Sequence, residues 1–324
     1  MKKFWHFKTT GLHQASFCDA SEQASWVGCA QYQQLSAGEY HGSIICLTTP
    51  DMFVVRERQN RAILKRVEIS AGACSVSLLD TAPGPLRVGG HAVDPQDIGY
   101  IPEGADIDLQ TRDDQSVTFF VFRQQALTEA ARTVLGDDWD RHAARGLIAR
   151  APTLAALSRM ADRLLAPVED PARTSSLAMT AADVSRWCLS RAIMALGDAV
   201  EGGGVVRSLA DGPEHYCVVV RRARDFIEAS AHEGISIVDV CAAVGVERRT
   251  LQRAFERVMG LNPLAYLQVV RLNRARTMLL HGDPARLTVF DVASRCGAWH
   301  LSRFTQAYRR MFGETPGQTL RRDR

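Results

Sequence analysis

Apolar residues in the first third of the chain come in short runs separated by polar residues and turn formers. Ser43–Thr48, Phe53–Arg58, Ala62–Ile69, Cys74–Leu79, Asp97–Ile101 and Val117–Phe122 have the length and β-branched or aromatic texture of strands. Between them lie Ala82-Pro83-Gly84-Pro85, Val88-Gly89-Gly90 and Pro102-Glu103-Gly104, which supply turns. Residues 1–20 show no clear period. Strands at such close spacing over about 22–122 predict an antiparallel sandwich or barrel.

After Arg123 the pattern changes period. Ala126–Leu135, Thr153–Leu165 and Thr174–Ala199 are rich in Ala, Leu, Arg and Met and poor in breakers, which predicts helices. In the last of them Leu177, Val184, Trp187, Cys188, Ile193, Met194 and Leu196 form an apolar stripe, suited to packing on the strands or to a dimer interface. Glu201-Gly202-Gly203-Gly204 ends that helix, so residues 1–201 read as one domain and 202–213 as a linker.

Residues 214–324 read as all helix. A helix over about His215–Ala231 is followed by Gly234 and by Ser236 at an N-cap position. Ile237–Val246 and then Glu247–Phe255 have the form of a helix-turn-helix, with Cys241 as the small residue where two helices cross and Gly245 free to take a positive φ. Val240, Val244, Leu251 and Phe255 fill its core. The unit recurs: Val238-Asp239-Val240 and Gly245 return 52 residues later as Phe290-Asp291-Val292 and Gly297, with Ala293 in place of Cys241. One residue enters the second turn. Leu251, Phe255, Gly260 and Pro263 then recur at an offset of 53 as Phe304, Tyr308, Gly313 and Pro316. The duplication places two units at 236–258 and 288–311. Pro263–His281 between them reads as one helix, a rod of roughly 28 Å that brings two recognition helices near the ~34 Å spacing of successive major grooves.

Charge strengthens this division. The formal net charge is +3, yet Pro213–Arg324 holds 18 arginines, no lysine and 11 acids, a local +7 that leaves −4 on the rest. A basic helical end suits a polyanion. The eight cysteines are scattered without a Cys-x-x-Cys pair, as expected of small buried residues in a reducing compartment. No apolar run approaches the roughly 20 residues of a spanning helix, and no secretory signal opens the chain, so a cytoplasmic location is expected.

The C-terminal segment resembles the AraC/XylS family of bacterial regulators over about Val218–Leu320. Leu301–Pro316, ending Phe312-Gly313-Glu314-Thr315-Pro316, is similar to the family signature. The resemblance implies a sequence-specific regulator, with activator as the expected sense, whose partners are promoter DNA, RNA polymerase and a second copy of the chain. By position, it implies base-facing roles for Arg248, Arg249, Gln252 and Arg253 in the first unit and for His300, Ser302, Arg303, Thr305 and Gln306 in the second. The turn Gly297-Ala298-Trp299-His300 departs from the family, which places an aromatic directly after the glycine. Trp299-His300-Leu301, with Gln33–Gly38 and His41-Gly42, is similar to regulators of ethanolamine-utilisation operons, which respond to ethanolamine with a cobalamin.

For residues 1–201 the resemblance implies a cupin-like sensor and dimerisation domain, making the chain α+β with an all-α C-terminal domain. Trp26, Tyr32, Phe53 and Arg56 are candidates to bind an effector, and each also reads as ordinary core or strand-edge material. Arg56, Glu57 and Arg58 could together fix a charged effector, and a solvated strand edge explains them equally well. His41 and His91 stand without a His-x-His pair, so neither a metal nor another cofactor is expected. The chain has no Gly-x-Ser-x-Gly elbow, phosphate-binding loop or His-Glu-x-x-His, and lacks the cysteine pairs of an alkyl-accepting zinc site; it reads as a non-enzyme. Control by protein contacts or abundance, without a ligand, stays open beside effector control.

Overall fold

The computed structural model describes residues 10–28, 30–81, 86–169, 180–202, 206–209, 215–230, 234–298 and 300–322. The chain divides into two compact units. Unit one comprises Met1–Tyr32, His41–Asn60 and Lys65–Gly212; unit two comprises Gln33–Tyr40, Arg61–Leu64 and Pro213–Arg324.

The elements run β1 (Gly11–Phe17), α1 (Ala20–Val27), β2 (Ala30–Gln34), β3 (Gly42–Thr48), β4 (Met52–Gln59), β5 (Ile63–Glu68), β6 (Ala73–Thr81), β7 (Leu86–Val88), β8 (His91–Val93), β9 (Asp97–Ile101), β10 (Asp106–Gln110) and β11 (Gln115–Arg123). Then follow α2 (Gln124–Leu135), α3 (Trp139–Arg145), β12 (Leu147–Arg150), α4 (Leu154–Glu169), α5 (Ala181–Glu201) and β13 (Arg207–Ser208). One sheet has the order β1-β3-β4-β11-β6-β9-β12-β13 and the other β2-β5-β10-β7-β8.

The inner strands β9 and β11 of the larger sheet are buried on both faces. Along β11, Phe120 and Phe122 join Val76, Leu78, Tyr100 and helical residues such as Leu127, Leu157 and Leu196 in one core. Val117 and Phe119, of the opposite parity on the same strand, face a second core that includes Leu86, Val88, Ile107 and Leu109 of the smaller sheet. Alternation along a single strand therefore feeds two layers, the helices on one side and the second sheet on the other. Each large apolar side chain fully buried here, such as Phe120, contributes ~1.5–3 kcal/mol. Cys46, Cys74 and Cys188 sit in these cores as small apolar groups, and burial pushes the thiols of Cys74 and Cys188 up to about 12.

The strand pattern begins earlier than the apolar runs imply. β1 pairs antiparallel with β3, and its burial alternates between half-buried and exposed, so a sheet-edge strand with mixed polarity carries no apolar signal. α1 interrupts the strand region; Asp19 caps its N-terminus by accepting from the Ser21 N–H, and Gly28 ends it at φ +82°. The apolar stripe of α5 is also narrower than predicted. Val184, Cys188, Ile193 and Leu196 are buried and Trp187 half-buried, but Met194 is 51% exposed because it falls on the opposite side of the 3.6-residue period. Leu177 lies outside the described residues. Thr180 and Asp183 form a capping box that starts the helix.

Unit two is built on α6 (His215–Ser230), α7 (Ile237–Val244), α8 (Arg248–Met259), α9 (Pro263–His281), α10 (Val289–Arg295), α11 (Leu301–Phe312) and α12 (Pro316–Leu320). Their core contains Val240, Leu251, Phe255, Tyr266, Leu272, Val292, Ala293, Phe304 and Tyr308. Leu35 and Leu64, far upstream in the chain, belong to the same core.

Candidate nucleic-acid interface

The duplicated sequence folds as a duplicated structure. Ser236 and Thr288 each start the first helix of a unit with a capping box, closed by Asp239 and Asp291 respectively. The hydrogen bonds from Ser236 to Asp239 and from Thr288 to Asp291 hold both carboxyls below the usual range. Gly245 ends α7 at φ +73°, and Gly297 takes φ +68° at the matching turn after α10. Val240 and Val292 are fully buried at equivalent places, and Ala293 is 1% exposed where the helices of the second unit cross. Gly260 and Gly313 end α8 and α11 in the left-handed region, and Asn262 and Thr315 cap the helices that follow.

α8 and α11 are strongly two-faced. Leu251, Ala254, Phe255, Val258 and Met259 of α8 are buried; Arg248, Arg249, Gln252 and Arg253 are exposed on its other side. On α11, Phe304, Tyr308, Met311 and Phe312 point inward, while Ser302, Arg303 and Gln306 are exposed and Thr305 is half-buried. His300, the N-cap residue, is exposed. Gln252 donates to Glu256 at 2.9 Å, one turn further along the helix. Neither Glu247 nor His300 caps its helix with a side chain, in contrast to the capped starts of α7, α9, α10 and α12. Among the described residues neither N-cap side chain satisfies a first-turn N–H of α8 or α11, and a helix N-terminus favours an anion such as phosphate. Trp299 lies outside the described residues.

Several arginines of the basic segment do other work. Arg276 of α9 is buried, pairs with Glu314 at 3.0 Å and lies over the Phe312 ring at 4.6 Å. Arg271 donates to the Ile235 carbonyl at 2.8 Å, and burial lowers its pKa. Arg224 is buried and donates to the Tyr266 hydroxyl at 3.2 Å. Arg274 of α9 and Arg309 and Arg310 of α11 remain exposed. Net charge alone does not separate these classes; burial does.

The four effector candidates do not converge. In unit one a cavity of about 40 Å³ lies between the sheets, lined by Tyr32 but not by Trp26, Phe53 or Arg56. Trp26 is half-buried on α1, edge-on to Phe17 at 6.1 Å. Phe53 is half-buried on β4. Arg56 is held by Asp80 at 3.2 Å and Asp162 at 2.7 Å. Its neighbour Glu57 points to the other face of the sheet, into the cavity. There Glu57 accepts from the Tyr32 hydroxyl at 3.0 Å and is ion-paired with Lys65, whose ammonium lies 4.9 Å from the centre of the Tyr32 ring. Ser75, 2% exposed, also lines the cavity, and its hydroxyl has no hydrogen-bond partner. Lys65 and Ser75 were not among the sequence candidates. A lysine inside the apolar run Ala62–Ile69 was the available signal.

Among the described residues no group of three or more His, Cys, Asp or Glu is placed to hold a metal, and no helix is long and apolar enough to cross a membrane.

Comparison with known proteins places the interface in a family. A helix-turn-helix domain model matches residues 240–322. The "Probable thc operon regulatory protein" of Rhodococcus erythropolis is 38% identical over 103 residues, 32% of this chain and 31% of that protein. The "XylDLEGF operon transcriptional activator 2" of Pseudomonas putida is 31% identical over 99 residues, 31% of this chain and 63% of its own. The match thus spans about a third of the first relative and under two thirds of the second. The crystal structure of a probable AraC family transcriptional regulator from Rhodopseudomonas palustris is 37% identical, with 33% of this chain and 98% of that one covered and a TM-score of 0.31. The family model over residues 240–322, the identity to the Rhodococcus and Pseudomonas regulators and the duplicated helix-turn-helix carry the assignment: the C-terminal segment of this chain is a DNA-binding helix-turn-helix domain of the AraC type.

Proposed function

We propose that the protein is a sequence-specific regulator that reads promoter DNA with α8 and α11 in successive major grooves on one face of the duplex. The observation that carries this reading is the pairing of two recognition helices with the same buried core and the same exposed Arg- and Gln-bearing face. Arg248, Arg249, Gln252 and Arg253 supply guanine- and adenine-type contacts in the first half-element, and His300, Ser302, Arg303, Thr305 and Gln306 serve the second. The N-termini of both helices and the exposed Arg274, Arg309 and Arg310 add phosphate contacts that set register. Hydroxyl-radical footprinting on a selected site tests this arrangement. Two protected patches one helical turn apart on one face are expected, and a single patch or protection around the whole duplex contradicts it.

Residues 123–201 serve as the dimerisation segment in this proposal, with the exposed Met194 and Val134 as apolar contacts. Contact with RNA polymerase then converts promoter binding into activation. The cytoplasm is the compartment this activity requires.

Two modes of control are consistent with unit one. Its cavity has a polar corner of Glu57, Lys65, Tyr32 and Ser75 against apolar walls, the chemistry of a small-ligand site. Its volume of about 40 Å³ favours instead a regulator governed by protein contacts or abundance, since ligand pockets run to roughly 300–1,000 Å³. Thermal-shift screening of the full chain separates them. A metabolite that raises Tm in the parent but less in Ser75→Ala supports effector control; the absence of any such compound supports the second mode.

A further inference from the structure

The motif Gln33–Gly38 and the short segment Arg61–Leu64 fold as part of unit two. Gln34 is 2% exposed, and its backbone is gripped from both sides by one side chain. The Gln34 N–H donates to Asn273 Oδ1 at 3.0 Å, and Asn273 Nδ2 donates back to the Gln34 carbonyl at 2.9 Å. Asn273 sits in the middle of α9, the helix that joins the two helix-turn-helix units. The Gln34 side-chain amide then donates to the carbonyls of Ser36 at 2.8 Å, Gly38 at 2.7 Å and Met311 at 2.9 Å. The Gly38 N–H reaches the same Met311 carbonyl at 3.0 Å.

Met311 is in the last turn of α11, whose final carbonyls have no partner within the helix. The strap therefore supplies a cap from elsewhere in the chain to the end of the second recognition helix. It is itself tightly set. The Leu35 N–H donates to the Ala62 carbonyl at 2.7 Å, and Leu35 and Leu64 are packed in the core beneath the helices. Gly38 takes φ +121°, and a Cβ there would lie 2.6 Å from the Arg61 guanidinium.

We propose that residues 33–40 are a positioning element for DNA readout: the strap pins α11 to α9 through Gln34, so that the second recognition helix is held at a fixed angle to the helix that sets its spacing from the first. It touches no base. The described hydrogen bonds of Gln34 outside the strap go to α9 and α11, so its effect is expected in the half-element that α11 reads. Tyr32 and Lys65, which line the polar corner of the cavity, directly precede Gln33 and directly follow Leu64 in the chain.

This rests on the DNA-binding reading above, and the test keeps the two apart. Sites are selected from a random duplex library with the full-length parent, Arg249→Ala, Gln34→Glu and Asn273→Ala. Arg249→Ala marks the half-element belonging to α8. Gln34→Glu replaces a donor to three carbonyls by an acceptor and should cut base preference in the other half at least threefold, with the α8 half unchanged. Asn273→Ala, the milder variant, should act in the same direction. Equal loss in both halves, or an unchanged profile, overturns the proposal. A parent that selects no sequence defeats the regulator reading, and hydrogen exchange of the parent then judges the strap alone. Amides of Gln34 and Gly38 protected as strongly as those of α9 support a persistent clamp, and loop-like exchange overturns it.

Discussion

Gly245 and Gly297 hold the same left-handed turn, at φ +73° and +68°, but the second is hemmed in and the first is not. A Cβ on Gly245 would meet nothing within 4 Å, whereas one on Gly297 would lie 3.2 Å from the Gly234 Cα and 3.4 Å from Arg271 Nη2. Gly245→Ala should therefore cost only the backbone strain, ~1–2 kcal/mol. Gly297→Ala should cost more, since Arg271 is anchored to Ile235 and cannot easily give way. Urea denaturation of the full chain followed by helix signal measures both. Equal costs would mean that the two turns are not packed as described.

Arginines of the basic segment should separate into two classes. Arg249→Ala and Arg253→Ala remove exposed side chains and should leave Tm unchanged while costing ~1–3 kcal/mol of discrimination at one base position. Arg276→Ala should instead lower stability by ~1–3 kcal/mol, because it removes the 3.0 Å ion pair to Glu314 and uncovers the Phe312 ring. Parallel melts and binding titrations distinguish the classes. Equal loss on specific and scrambled DNA would demote Arg249 or Arg253 to a phosphate contact.

Lys65 and Glu57 form a buried pair at 1% and 3% side-chain exposure. Lys65→Met alone strands the Glu57 carboxylate and should destabilise unit one by ~3–5 kcal/mol. The double variant Lys65→Met/Glu57→Leu should recover most of that loss. Were the single variant as stable as the parent, the pair would not be shielded from water as the structure describes.

The capping boxes give unit two an acid-side dependence. Asp239 and Asp291 have pKa values below the ordinary 3.8, so their contribution is complete above that value and is lost as pH falls through the lower, folded one. Asp239→Ala/Asp291→Ala should therefore be less stable than the parent at pH 7, with the difference shrinking toward pH 2. A gap that stays constant with pH would point to lost packing rather than to the carboxylates.

Much of the architecture is visible in the residues, for reasons that differ between the units. The repeat at 236–258 and 288–311 is legible because each turn demands a glycine, each helix crossing a small residue and each recognition helix a 3.6-residue stripe. Pro263–His281 reads as a helix from its N1 proline and coincides with α9. The six strand runs fall on β3, β4, β5, β6, β9 and β11, which their short clusters of β-branched and aromatic residues mark out. β1 escapes because it lies at a sheet edge, and β12 and β13 because they are only four and two residues long. The strap was recognisable as a motif but not as part of the helical unit. Gln34 and Asn273 are polar residues at a distance in sequence, and pairing of their amides leaves no periodic trace. The cavity was half legible: Tyr32 and Glu57 stood out, whereas Trp26, Phe53 and Arg56 are strand or helix residues whose partners lie elsewhere.

The proposed function turns on specific recognition of duplex DNA by two helices of one chain. Fluorescence anisotropy of the full-length protein, on a duplex selected from a random library and on its scrambled counterpart across a salt series, tests it most directly. The account predicts tight binding to the selected duplex, a preference of ~10³ or more over the scrambled one, and affinity that falls steeply with salt. Failure of any duplex to be enriched, with equal and weak binding to both sequences, would contradict it.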